Sequence, residues 1–111
     1  MRRVTMMLAA MALMVLLFAA VAYAATIVGT SEADILIESQ LDDTISGRAN
    51  ADEIVADFFT NDTDVVEGNT GNDDIFVEDG DGRDTVIGGG GANDQCFGDR
   101  GDELDCEDEV Q

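Results

Sequence analysis

The chain contains no His, no Trp and no Pro, and its five basic residues are all Arg. Without imidazole there is no Ser-His or Cys-His nucleophile pair and no His metal ligand. Two Cys without His cannot complete a Cys₄ or Cys₂His₂ zinc centre. Aromatic residues are few, five Phe and one Tyr. Basic charge is scarce too: 25 acidic residues oppose the five Arg, a formal net charge of −20 over 111 residues. A surface of that sign repels nucleic acid and anionic lipid, so neither is expected as a partner. The length allows at most one small domain.

There is a single long apolar run. Met1-Arg2-Arg3 forms a short basic start, residues 8–20 are rich in Leu, Met, Val and Ala, and Ala22-Tyr23-Ala24 places small residues at the −3 and −1 positions of a cleavage site. This reads as a secretory signal peptide over residues 1–24, a helix removed on export, with the functional domain over 25–111. The alternative is an uncleaved anchor, because residues 4–25 are uncharged and just long enough to span a bilayer. Cleavage leaves Arg48, Arg83 and Arg100 against all 25 acidic residues, a charge of −22. A secreted or cell-envelope chain of this kind stays disordered unless cations neutralise it.

The order of the residues argues for structure. An acidic residue followed two positions later by an aliphatic one recurs at Asp34/Leu36, Asp43/Ile45, Asp52/Ile54, Asp64/Val66, Asp73/Ile75 and Asp84/Val86, and Asp94/Cys96 continues the series. The Asp residues are spaced by 9, 9, 12, 9, 11 and 10. Glycine or small polar clusters precede most of them, so turns alternate with short strands. The clearest unit, Gly68-Asn69-Thr70-Gly71-Asn72-Asp73-Asp74-Ile75-Phe76, fits the nonapeptide G-G-x-G-x-D-x-U-x except for Asn69 at its second position. A three-residue strand aims only one or two side chains inward. The aliphatic residues therefore form one thin column, stabilised by stacking of neighbouring units. Glycine supplies the positive φ that curls carbonyls toward a cation, and calcium favours six to eight oxygen ligands.

On these residues the chain resembles the repeats-in-toxin (hemolysin-type) calcium-binding β-roll proteins. The resemblance implies an all-β fold, a short and irregular parallel β-roll or β-solenoid of nine-residue units. Two units would complete one coil, and Ca²⁺ would sit between turns on the same side. Carried onto this chain, it implies metal ligation by Asp73 with Asp94 and Asp64 with Asp84, in turns containing Gly68 and Gly71. Weaker sites are implied at Asp34, Asp43 and Asp52, whose turns lack the family's glycines. Glu32, Leu41, Asn50 and Asp62 stand at the fourth position of the first four turns, where the family has Gly, so weak ion binding or none is expected there. The insertions at Ala56-Asp57-Phe58 and Val77-Glu78 are expected to bulge out of the coil. Residues 78–84 look like an EF-hand loop, but Val77 and Asp84 fall at the wrong ligand positions.

Cys96 and Cys106 are an even pair in an exported chain and are expected to be joined, pinning the last turn. Glycoside hydrolysis by paired carboxylates needs a cleft and aromatic platforms, so no enzymatic activity is expected. The function read from the sequence is that of a secreted calcium-binding protein whose folding is coupled to Ca²⁺. The alternative is an acidic extracellular interaction module, with an unnamed protein or cell-surface partner, in which calcium is incidental.

Overall fold

A computed structural model describes residues 24–59 and 61–111. Apart from Ala24, the expected signal segment and its helix lie outside the described residues. The described residues form ten short strands: β1 (Thr26–Val28), β2 (Ile35–Ile37), β3 (Thr44–Ala49), β4 (Glu53–Val55), β5 (Val65–Thr70), β6 (Asp74–Val77), β7 (Thr85–Gly90), β8 (Gln95–Gly98), β9 (Glu103–Asp105) and β10 (Asp108–Val110). Among these residues no helix is long and apolar enough to cross a membrane.

Odd-numbered strands build one five-stranded sheet in the order β1-β3-β5-β7-β9, and even-numbered strands build a second in the order β10-β8-β6-β4-β2. Every pairing is parallel. The chain is therefore a parallel β-solenoid in which each coil adds one strand to each sheet. The register follows the sequence beat. Ile27, Ile45, Val66, Val86 and Leu104 stack in the first sheet, and Leu36, Ile54, Ile75 and Cys96 stack in the second. Ile45, Ile54, Val66, Ile75, Val86 and Cys96 are fully buried.

The core is wider than a single column on one side. Two residues beyond the aliphatic position, the even strands point Ala56 and Val77 inward, and both are buried. The sequence predicts that the insertions bulge out of the coil, but their first residues, Ala56 and Val77, do not. Strand alternation carries these residues into the core, and the chain leaves the coil only afterwards, with Phe58 61% exposed. In the first sheet the equivalent positions are Gly29, Gly47, Gly68 and Gly88. A methyl at Gly68 would run into the Asp73 Oδ2 and approach the Gly88 carbonyl oxygen to 2.6 Å. At Gly90 the nearest atoms lie 3.6 and 3.8 Å away. Gly68→Ala is expected to cost about 1–3 kcal/mol by overpacking. Gly90→Ala is expected to stay within about 0.5 kcal/mol. Urea midpoints in calcium-containing buffer measure both.

Cys96 and Cys106 form a disulfide with a Cα–Cα distance of 6.2 Å. It ties the last column residue of β8 to the connection between β9 and β10, where the stack ends. Alkylation without reductant is expected to leave the intact mass unlabelled. Reduction is expected to lower stability by about 2–3 kcal/mol through the lost loop constraint.

Candidate metal centre

The phased Asp residues fall on two flanks of the solenoid. Turns that follow odd strands carry Asp34, Asp52, Asp73 and Asp94, and turns that follow even strands carry Asp43, Asp64, Asp84 and Asp102. At these corners the backbone cannot continue its ladder unaided, and a carboxylate closes it. The Asp34, Asp52 and Asp73 backbone N–H groups donate to the Oδ1 of Asp52, Asp73 and Asp94, at 2.8, 2.9 and 2.9 Å. On the other flank Asp43, Asp64 and Asp84 donate to Asp64, Asp84 and Asp102, at 2.7, 2.8 and 3.1 Å. The Asp94 N–H ends its series on Glu107 Oε2 at 3.0 Å. From Asp43 onward each phased Asp thus has a structural task, satisfying a backbone amide of the preceding coil through a charge-assisted hydrogen bond, while Asp34 accepts from Thr30 of its own turn.

The second oxygens differ between flanks. On the flank of Gly29, Gly47, Gly68 and Gly88, the Oδ2 atoms of Asp52, Asp73 and Asp94 are buried without a donor. They point at the bare Cα atoms of Gly47, Gly68 and Gly88. Gly71 adopts a φ of 133° and lies against the Asn50 carbonyl, so it permits close approach of successive coils. Among the described residues, no three carboxylates converge on this flank. At Asp43 both oxygens are occupied, Oδ1 by the Ala25 N–H and the Ser39 hydroxyl and Oδ2 by the Ser39 N–H.

The opposite flank carries the insertions, and there carboxylates converge in three groups: Glu38 with Asp62 and Asp64, Asp62 with Asp79 and Asp81, and Asp81 with Asp84 and Asp102. Within each group one oxygen per residue lies within 4.8 Å of the others. Three oxygens about 2.4 Å from a common cation can be no farther apart than about that distance. Glu38 Oε2, both oxygens of Asp62, Asp81 Oδ1 and Asp84 Oδ2 are buried without a hydrogen-bond donor among the described residues. The rest of the shell is anchored. Glu38 Oε1 accepts from the Phe58 and Phe59 N–H groups. Asp79 Oδ1 accepts from the Asp81 N–H, and Asp81 Oδ2 from the Asn61 N–H.

Burial raises the affinity of these groups for protons. The Asp64 and Asp84 carboxyls are both pushed up to about 7, chiefly by desolvation. Glu38 and Asp64 also crowd each other, while Asp79, Asp102 and Asp64 repel a charge on Asp84. Desolvation likewise raises Glu38, Asp62 and Asp79. Anions held this close in a poorly solvated site either keep protons or take a cation.

Of the residues expected to ligate metal, Asp64 and Asp84 therefore stand in carboxylate groups. Asp34, Asp52, Asp73 and Asp94 lie single file on the glycine flank, and Asp43 is fully hydrogen-bonded. Gly68 and Gly71 serve close packing between coils. Glu38, Asp62, Asp79, Asp81 and Asp102 escaped the sequence reading. Asp62 stands where the nonapeptide has a turn glycine, and Asp79 and Asp81 sit in the segment that looks like an EF-hand loop. A usable signal existed. Turns two units apart share a flank, and both insertions fall on the same one, so their acidic residues must stack.

The fold and the site define an acidic parallel β-solenoid with buried carboxylate groups able to hold metal ions. No family model matches the chain, and no curated protein and no solved structure matches it significantly.

Proposed function

We propose that the protein is a secreted calcium-binding solenoid whose ions are taken up on the insertion-bearing flank. The observation that carries this reading is the set of buried carboxylate oxygens without donors at Glu38, Asp62 and Asp84, each within a converging group. An uncompensated buried carboxylate is costly, and a hard divalent cation offsets that cost directly. Oxygen-only donor sets favour calcium or magnesium over softer metals. The irregular loops and the spread of the oxygens favour the larger, geometrically tolerant ion. The resemblance of residues 68–76 to the repeats-in-toxin nonapeptide supports the same ion. The disulfide fits an oxidising compartment. The role is binding, with no catalytic step assigned.

Equilibrium dialysis tests the reading. Calcium is expected to bind at micromolar to millimolar concentrations, with magnesium competing weakly. Absence of calcium binding at 10 mM would overturn it.

A second reading, an interaction module indifferent to calcium, draws on the outer face of the second sheet. There Phe76 and Phe97 stack with ring centroids 4.9 Å apart, in register with Val55 on one side and Val110 on the other. Partner capture that survives chelation would favour this second reading.

A further inference from the structure

We propose that the three carboxylate groups of the insertion-bearing flank are one continuous row of cation sites, bridged by Asp62 and Asp81, that fills cooperatively. The proposal rests on the calcium reading above and adds where the ions sit and how they depend on one another.

The groups are not separable. Asp62 belongs to the first and second, and Asp81 to the second and third. Three independent sites of three carboxylates would need nine such residues, and the flank supplies seven. Sharing is chemically open to both bridges, because each carboxylate has two oxygens with about four lone-pair positions. Asp62 is 3% exposed, and neither of its oxygens meets a donor among the described residues. One oxygen is thus free for each neighbouring group. Asp81 is held from one side by the Asn61 N–H on Oδ2 at 2.7 Å, while its Oδ1 is buried without a donor.

Charge supports a filled row over a part-filled one. Three divalent cations bring six positive charges to seven carboxylates, leaving the row nearly neutral. With the middle group empty, Asp62 keeps a buried oxygen without a donor among the described residues, and Asp79 stays exposed to the repulsion of Asp81 and Asp62. The first ion orients a bridging carboxylate and removes its repulsion on the next group, so each ion favours its neighbour. The glycine flank has no such arrangement, since its carboxylates stand singly with Oδ1 committed to backbone amides.

The test counts calcium ions per chain by equilibrium dialysis of the purified full-length protein and of single isosteric variants. Asp62→Asn is expected to lose two ions relative to the parent and to flatten the binding curve. Asp81→Asn, a second bridge at a less buried position, is expected to lose two as well. Asp79→Asn, which serves one group, is expected to lose one, and Asp34→Asn on the other flank none. If both bridge variants lose only one ion, the sites are separate and the row is overturned while calcium binding stands. If Asp34→Asn loses as many ions as Asp62→Asn, the ions lie on the wrong flank. A parent that binds no calcium overturns the row together with the reading beneath it. Should Asp62→Asn fail to fold, as shown by lost circular dichroism in calcium, Asp81→Asn decides the question.

Discussion

Stripped of divalent cations at pH 7.5, the protein is expected to lose most of its β-sheet circular dichroism, and millimolar calcium is expected to restore it. Among the described residues, ten acidic side chains are buried, against eight apolar ones. Few proteins place more carboxylates than hydrocarbon side chains out of water, because an unpaired buried charge costs several kcal/mol. The apolar core is two side chains wide at best, which leaves a small margin over chain entropy. The carboxylate ladders return part of the cost through the amides they satisfy, but the second oxygens of Asp52, Asp73, Asp84 and Asp94 receive nothing among the described residues. Ligation and neutralisation act together on those atoms, so binding and folding should appear as one transition. A far-ultraviolet titration from a metal-free buffer measures it. A full β spectrum in the absence of any divalent ion would show that the ladders and the thin core suffice.

The dependence of stability on pH is expected to change sign with calcium. In metal-free buffer, Asp64 and Asp84 are raised from 3.8 to about 7 in the folded protein, by desolvation first. Between those values the folded chain holds protons that the unfolded chain has released. Stability therefore falls as pH rises through this window, and the contribution is complete only below the unfolded value. Glu38, Asp52, Asp62, Asp73, Asp79 and Asp94 shift in the same direction for the same leading cause. Glu107 alone runs the other way: it accepts the Asp94 N–H, which lowers it, and being exposed it weighs little. The metal-free protein should thus be more ordered at pH 5 than at pH 8. With saturating calcium the ligands must be ionised, so acid now competes with the ion and stability rises from pH 5 to pH 8. The β-sheet circular dichroism signal at these two values, with and without calcium, should cross. Parallel slopes would mean that the buried carboxylates are neither protonated in the metal-free state nor ligated in the other.

The fold was legible from one simple rule, an acidic residue two places before an aliphatic one. That rule fixes which residues face inward, because strand alternation converts spacing directly into orientation. It also fixes the flanks, since alternate turns must stack. The site was less legible, because the same Asp residues that keep the beat are held by backbone amides. Asp73, in the most regular unit of the chain, closes the ladder for Asp52. Asp62 breaks the repeat and stands in two carboxylate groups. Regularity in this sequence marks residues that build the coil. Groups left over for a ligand gather where the repeat is interrupted, and neither composition nor spacing says how an interrupting loop will fold back. Ala56 and Val77 show the same limit in the core, where two residues read as the start of bulges are buried instead.

The carboxylate ladders also have a direction in time. The corner amides of Asp34, Asp43, Asp52, Asp64, Asp73 and Asp84 are satisfied by side chains lying 18, 20 or 21 residues farther along the chain, that of Asp94 by Glu107, 13 residues on, and that of Asp102 by the Asp99 carbonyl of its own turn. No coil is therefore complete when its own residues emerge during synthesis. Its closing group belongs to the coil that follows, and the last closing group lies just beyond the cysteine that ties off the stack. Closure of each early coil thus depends on residues made later, and the dependence runs from coil to coil toward the C-terminal segment.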